Sequence, residues 1–185
     1  MKSIKINFLE KSVLGRKTNL CDPEDVISKC INLAYNDMLT AGRYYIKTDM
    51  VSTCNSFKTL LEERHYEFSQ KLLDNSIYLF GEKEEIGVGN KYVTRYGLTQ
   101  KLVNMTFKYL YVFNDYTGKE IDFSVCDCPL DSIILNELSS DYVWSKLSKE
   151  EYAKCQKTIS EELKSQPLDR ELSQIGNLAF DFINW

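Results

Sequence analysis

The sequence predicts a mainly α-helical fold, a single-domain bundle of about six helices around a central buried helix at 98–113. Its length of 185 residues suits one domain with a sizeable core. Hydrophobic residues make up 43% and charged residues 27%, as in ordinary globular proteins. Eight glycines and three prolines are few for a turn-rich β-sandwich. We therefore expect one helical domain spanning residues 1–185.

Start signals and apolar spacing place the elements of the first half. Asp22 is a natural helix N-cap, and Pro23 fits the first helical position. Alternating apolar residues at the N-terminus indicate a short edge strand, and a polar, glycine-punctuated stretch indicates a loop. The expected elements are a strand at 4–8, a helix at 23–43, a second helix at 53–73 and a loop at 81–92. The second helix is expected to continue as far as Gly81.

The second half has equally local signals. Residues 98–113 are apolar around most of the helix circumference, which is typical of a helix packed on several sides. Asp131 follows a proline and is a natural N-cap, and Ser148 with Glu151 forms a capping box. The expected elements are helices at 98–113, 131–138, 148–164 and 167–183, with a loop at 114–127.

Targeting signals and metal motifs are not evident. The N-terminus lacks the pattern of a secretory signal, and no apolar run reaches the roughly 20 residues that span a bilayer. We therefore expect a cytoplasmic protein with no membrane association and with reduced, buried cysteines. Cys126 and Cys128 are the only closely spaced pair, and the only histidine, His65, is distant in sequence. The sequence predicts no cofactor and no metal site.

The net charge of −4 excludes a uniformly basic nucleic-acid coat. Residues 91–119 nevertheless carry five cations against one acid, and tyrosines lie between them. Cations position phosphates and aromatic rings stack on bases, so this segment predicts a DNA-binding face. Alternatively, the tyrosines fill the core, and Lys101, Asn104 and Lys108 form a solvated stripe on the central helix.

Two residues of this region are candidate catalytic groups. Gly97 precedes Lys101 by four residues, and a glycine at a helix start allows close approach to a phosphate. Asp131 begins a later apolar helix. If the two helix starts meet in one cleft, burial would lower the lysine pKa towards that of a nucleophilic amine, which the aspartate would orient. The alternative is that Asp131 is only an N-cap and that Gly97 only serves a turn.

The segment YGLTQKLVNMTFKYL, followed by CPLDSIILNEL, resembles a degenerate form of the helix-hairpin-helix DNA glycosylase superfamily. Its members carry a hairpin of the type G-x-G-x-K-[TV]-A, an apolar helix and then V-P-V-D-x-H. Gly97 corresponds to the first hairpin glycine, Lys101 to the Schiff-base lysine and Asp131 to the catalytic aspartate. Thr99 stands in place of the second glycine. The resemblance covers about residues 94–138 and implies a glycosylase-like fold.

The sequence thus predicts a small DNA-binding protein with a glycosylase-like fold. Binding without catalysis is expected rather than DNA glycosylase/lyase activity. The expected DNA-contacting residues are Lys91, Arg95, Tyr96, Gly97, Thr99, Gln100, Asn104 and Lys108. The alternative is a non-enzymatic, phage-type inhibitor, similar in size and charge to anti-CRISPR proteins, whose acidic surface binds a nuclease such as a CRISPR nuclease. A structural or regulatory helical protein is a third interpretation. No oligomeric state is predicted.

Overall fold

A computed structural model describes residues 21–42 and 49–184 of the chain, and in these residues it is mainly α-helical. The predicted strand at 4–8 lies outside the described residues. The helices are α1 (Pro23–Gly42), α2 (Met50–Glu63), α3 (Gln70–Ser76), α4 (Arg95–Val112), α5 (Asn114–Thr117), α6 (Ser132–Glu137), α7 (Lys149–Ser165) and α8 (Leu178–Asn184). Single 3₁₀ turns lie at Ile77–Phe80, Trp144–Lys146 and Leu172–Gln174, and two strands, β1 (Glu85–Val88) and β2 (Lys91–Thr94), form a hairpin.

Helix α1 begins where its sequence signals predict. The Asp22 carboxylate accepts a hydrogen bond of 3.0 Å from the Glu24 amide, and Pro23 is the first helical residue. The apolar face of α1 is fully enclosed and packs along α4. Buried apolar surface of this extent is the main source of stability for such a helix.

The predicted helix at 53–73 is wrong as a single element. Helix α2 ends at Glu63, and the chain turns through His65 and Tyr66, whose φ angles are 51° and 57°. Left-handed backbone at two successive residues cannot continue an α-helix. Helix α3 then starts after Ser69, whose side chain accepts a hydrogen bond from the Leu72 amide.

The predicted loop at 81–92 contains strand β1 and the beginning of strand β2. The strands pair antiparallel, with Val88 opposite Lys91, so that Gly89 and Asn90 form a two-residue turn. Gly89 has a φ of 59°, a conformation that glycine adopts without strain. The loop expected at 114–127 likewise contains the short helix α5.

The expected central buried helix is confirmed as α4, although it starts at Arg95 rather than at residue 98. Nearly all of its residues are buried, with α1 on one side and α3 and the hairpin nearby. At the C-terminal end, the predicted helix at 167–183 is reduced to α8. Gly176, with a φ of 57°, turns the chain against residues 124–126 just before α8 begins.

Five of the six cysteines are buried free thiols, as expected, whereas Cys21 is exposed. No group of three or more potential metal ligands occurs in the part of the chain that the structure describes. Within the same residues, no helix is long and apolar enough to cross a bilayer.

Candidate functional site

The start of α4 differs from the expected phosphate-binding turn. Thr94 caps the helix by accepting a hydrogen bond of 3.0 Å from the Gly97 amide, so Gly97 lies in the first helical turn. A Cβ at Gly97 would lie 2.7 Å from the carbonyl oxygen of Trp144 and from the carbonyl carbon of Ser145. The glycine therefore admits the protein's own backbone to the helix surface.

Lys101 and Asp131, the two candidate catalytic groups, are in direct contact. The Lys101 Nζ lies 3.0 Å from Asp131 Oδ2, and the two side chains are 7% and 28% exposed. The other carboxylate oxygen, Oδ1, accepts hydrogen bonds of 3.0 Å from the Ile133 and Ile134 amides. One carboxylate therefore both caps α6 and pairs with a buried lysine.

This environment also determines the charge state of Asp131. Burial acts to raise the pKa of its carboxyl, but the Lys101 ammonium and the two amide donors outweigh that effect. The pKa lies below its ordinary value, so the carboxylate is ionised at neutral pH. The Lys101 ammonium is further enclosed by the Trp144 ring, whose centroid lies 5.7 Å from Nζ.

The polar residues next to Lys101 are also buried and hydrogen-bonded. Gln100 donates a hydrogen bond of 2.9 Å to the Leu130 carbonyl and accepts one of 3.1 Å from the Leu130 amide. Asn104 donates a hydrogen bond of 2.9 Å to the Tyr152 hydroxyl, which donates one of 2.6 Å to Asp127. Burial raises the pKa of Asp127 to about 6, an effect that the tyrosine hydrogen bond partly opposes.

One turn beyond Asn104, Lys108 is neutralised by a carboxylate from α8. Its Nζ lies 2.5 Å from Asp181 Oδ2, with the side chains 6% and 4% exposed. The interpretation of Lys101, Asn104 and Lys108 as a solvated stripe is therefore wrong. A helix that is apolar around most of its circumference offers no solvent-facing side, and this signal could have identified the burial.

The other expected DNA-contacting residues are also enclosed. Arg95 donates a hydrogen bond to the Gly81 carbonyl and lies over the Tyr78 ring, 5.6 Å from its centroid. The Tyr96 hydroxyl accepts a hydrogen bond from Gln70. Thr99 is fully buried. Of the eight expected contacts only Lys91 is exposed, and the other seven are buried, so the positive charge of residues 91–119 is largely internal.

The exposed charge of the described residues is consequently mainly acidic. Among the described residues, exposed acidic side chains outnumber exposed basic ones by about two to one. A cleft of about 380 Å³ opens between the hairpin and the start of α7. Glu84, Glu85 and Glu150 lie in its wall, together with Lys149, which is paired with Asp74. With Glu82 these glutamates form what we call the acidic hairpin surface, which is exposed throughout.

Two exposed apolar side chains lie in the hairpin and in the 3₁₀ turn before it. Tyr78 is 73% exposed and Val88 is 84% exposed. Sequence reasoning missed this hairpin surface because glycines and glutamates suggested a loop. The signal that could have found it is the Gly89-Asn90 pair between two short apolar alternations.

No protein-family model, curated protein or solved structure matches this chain. The roles of its residues therefore follow from their own contacts and exposure.

Proposed function

We propose that this protein is a non-enzymatic binding protein whose acidic hairpin surface occupies a basic nucleic-acid-binding surface of a partner, such as the channel of a CRISPR nuclease. The supporting observation is the division of charge. The cations of α4 are internal, whereas Glu84, Glu85 and Glu150 line one cleft and Glu82 is exposed two residues before Glu84. Such a surface repels nucleic acid and attracts a basic protein surface.

The chemistry of this surface suits competition with nucleic acid. Carboxylates bind the same arginines and lysines that a nuclease uses for phosphates, and complementary charge speeds association and fixes the register. The exposed Tyr78 and Val88 supply apolar contacts, and tyrosine is among the residues that contribute most of the affinity at interfaces.

The test is a cleavage assay with purified CRISPR nucleases. An excess of the protein is expected to stop cleavage by its target, and preloading that nuclease with DNA should reduce the inhibition. The variant Glu82→Lys/Glu84→Lys/Glu85→Lys is expected to lose inhibition. A matched control, Glu62→Lys/Glu63→Lys/Glu137→Lys, changes the net charge equally at other exposed positions and should retain it. Equal inhibition by both triple variants would contradict the proposal.

A second candidate is the DNA-binding, glycosylase-like function that the sequence resemblance implies. The observation that favours it is the 3.0 Å contact between Lys101 and Asp131. In that mechanism the Lys101 amine attacks the anomeric carbon of a flipped nucleotide, the base departs, and Asp131 assists. The amine must first leave its buried ion pair.

Borohydride trapping on duplexes with damaged bases tests this candidate. A covalent adduct that disappears in Lys101→Met would support the glycosylase mechanism. A gel shift whose affinity falls with salt would support DNA binding alone. If our first proposal is correct, neither the adduct nor the shift forms.

A further inference from the structure

The outer edge of β1 has backbone groups that the hairpin does not use. Val88 and Lys91 flank the two-residue turn, and residues in that position form a hydrogen-bonded pair. Hydrogen-bonded and non-hydrogen-bonded pairs alternate along an antiparallel ladder, so Ile86 and Val93 form the next hydrogen-bonded pair. The Arg95 amide donates a hydrogen bond of 2.9 Å to the Glu84 carbonyl, which confirms this register. The amides and carbonyls of Glu85 and Gly87 consequently point away from β2.

The two edges of the hairpin are not equivalent. The β2 side is covered by the 3₁₀ turn Trp144–Lys146, and Thr94 donates a hydrogen bond of 2.7 Å to the Leu147 carbonyl there. Strand β1 packs chiefly on β2, and three of its four residues are exposed. Within the described residues, the β1 edge is thus the open one.

We propose that an extended, lysine- or arginine-rich segment of the partner adds to β1 as a third strand. This inference rests on the proposed function and specifies how the acidic hairpin surface engages its partner. Glu82, Glu84 and Glu85 line the start of the edge, so cations on the added segment face carboxylates. Val88, at the other end, offers an apolar contact to an alternating segment.

Charge selects this occupant over a second copy of the chain. Edge-to-edge pairing of two copies would bring two sets of the same glutamates together, and like charges across a ladder are destabilising. A basic segment instead gains both backbone hydrogen bonds and opposite charge, the combination that typifies strand addition.

The first test uses two synthetic peptides of alternating lysine and valine. One has an ordinary backbone, and the other is N-methylated at alternate residues, which removes its edge donors without changing its charge. We expect the N-methylated peptide to bind the full-length protein about tenfold more weakly, as expected for the loss of two hydrogen bonds. Equal affinities in low salt would overturn the proposal.

The second test compares two neutral variants of one residue. Glu85→Pro removes an amide that points outward, whereas Glu85→Gln keeps it, and proline is tolerated at strand edges. We expect the ordinary peptide to bind Glu85→Pro about tenfold more weakly than Glu85→Gln. Equal binding by two folded variants would overturn the proposal.

Hydrogen exchange of the unaltered protein gives a readout that does not depend on variant folding. Bound peptide is expected to slow exchange of the Glu85 and Gly87 amides while leaving that of the exposed Lys83 unchanged. If neither amide is protected at saturating peptide, strand addition is wrong. Dimerisation through this edge in sedimentation would also overturn it.

The two proposals can fail separately. If nuclease inhibition depends on Glu82, Glu84 and Glu85 but the edge amides remain unprotected, the binding function stands and strand addition is wrong. If the peptide protects the edge but no nuclease is inhibited, strand addition stands and the nuclease partner is wrong.

Discussion

The Lys108 ammonium lies 2.5 Å from the Asp181 carboxylate, and both side chains are almost completely buried. Burial raises the pKa of Asp181, and the Lys108 charge partly offsets that rise. Each charge depends on the other because neither is well hydrated. This contact joins the central helix α4 to the final helix α8.

Removing Asp181 should therefore be costly. Asp181→Ala leaves the ammonium buried without its carboxylate, and we expect the free energy of unfolding to fall by about 3–5 kcal/mol. The double variant Lys108→Met/Asp181→Leu should recover most of that loss. Urea denaturation followed by circular dichroism measures both. A double variant as unstable as the single one would contradict this explanation.

An exposed ion pair provides the control. Lys149 lies 2.8 Å from Asp74, with side chains 48% and 42% exposed. Water screens such pairs, so Asp74→Ala should cost no more than about 1 kcal/mol.

Asp131 has two separable roles. Asp131→Asn keeps a good N-cap acceptor but loses the charge that faces Lys101, whereas Asp131→Ala loses both. We expect the alanine variant to be less stable than the asparagine variant by about 1 kcal/mol. Thermal unfolding of the two variants measures the difference. Equal stabilities would show that the N-cap contributes little.

Thr99 offers a stabilising substitution. Its hydroxyl is buried and has no hydrogen-bond partner among the described residues, so Thr99→Val should raise the free energy of unfolding by about 1 kcal/mol. Thr106 is the matched control, because its buried hydroxyl donates a hydrogen bond of 2.8 Å to the Leu102 carbonyl. Thr106→Val should not stabilise the protein. Urea denaturation tests both, and equal effects would contradict the prediction.

Asp127 should make stability depend on pH. Its pKa rises from 3.8 to about 6 on folding, so between these pH values the folded state retains a proton that the unfolded state has lost. This difference in proton binding lowers the free energy of unfolding as the pH rises from about 4 to about 6. The total loss is at most about 3 kcal/mol, and below about pH 4 none of it occurs.

Comparing the unaltered protein with Asp127→Asn isolates this contribution, because the other carboxylates titrate in both. The stability difference should change between about pH 4 and pH 6. Tyr152→Phe removes a hydrogen bond that lowers the Asp127 pKa, so it should move the transition to higher pH. Parallel stability curves for the unaltered protein and Asp127→Asn would exclude Asp127 as the source.

The sequence predicted those elements that have local signals. Asp22 with Pro23, and Ser148 with Glu151, mark helix starts through residues that are close together in the sequence, and both helices begin there. The break at His65 and Tyr66 has only a weak signal. Histidine is enriched in left-handed backbone but occurs mostly in other conformations, and tyrosine is not enriched there, so the turn depends on packing.

The sequence raised the meeting of Lys101 and Asp131 only as a condition, because local signals do not determine how two helices distant in sequence pack. The structure brings the two side chains together, with Lys101 inside α4 rather than at its start. Burial of Lys108 could not be predicted from charge, because it requires Asp181 from a helix far along the chain. A formal charge count treats every ion as exposed, whereas the fold neutralises several internally.

The contacts of α4 also order events during synthesis. The partners of Lys101 and Asn104 lie 30 and 48 residues later in the sequence, and the partner of Lys108 is Asp181. A nascent chain that has released only α4 therefore has polar groups in its central helix that nothing yet satisfies, so the core cannot close early. The core around α4 is expected to close only after α8 has left the ribosome.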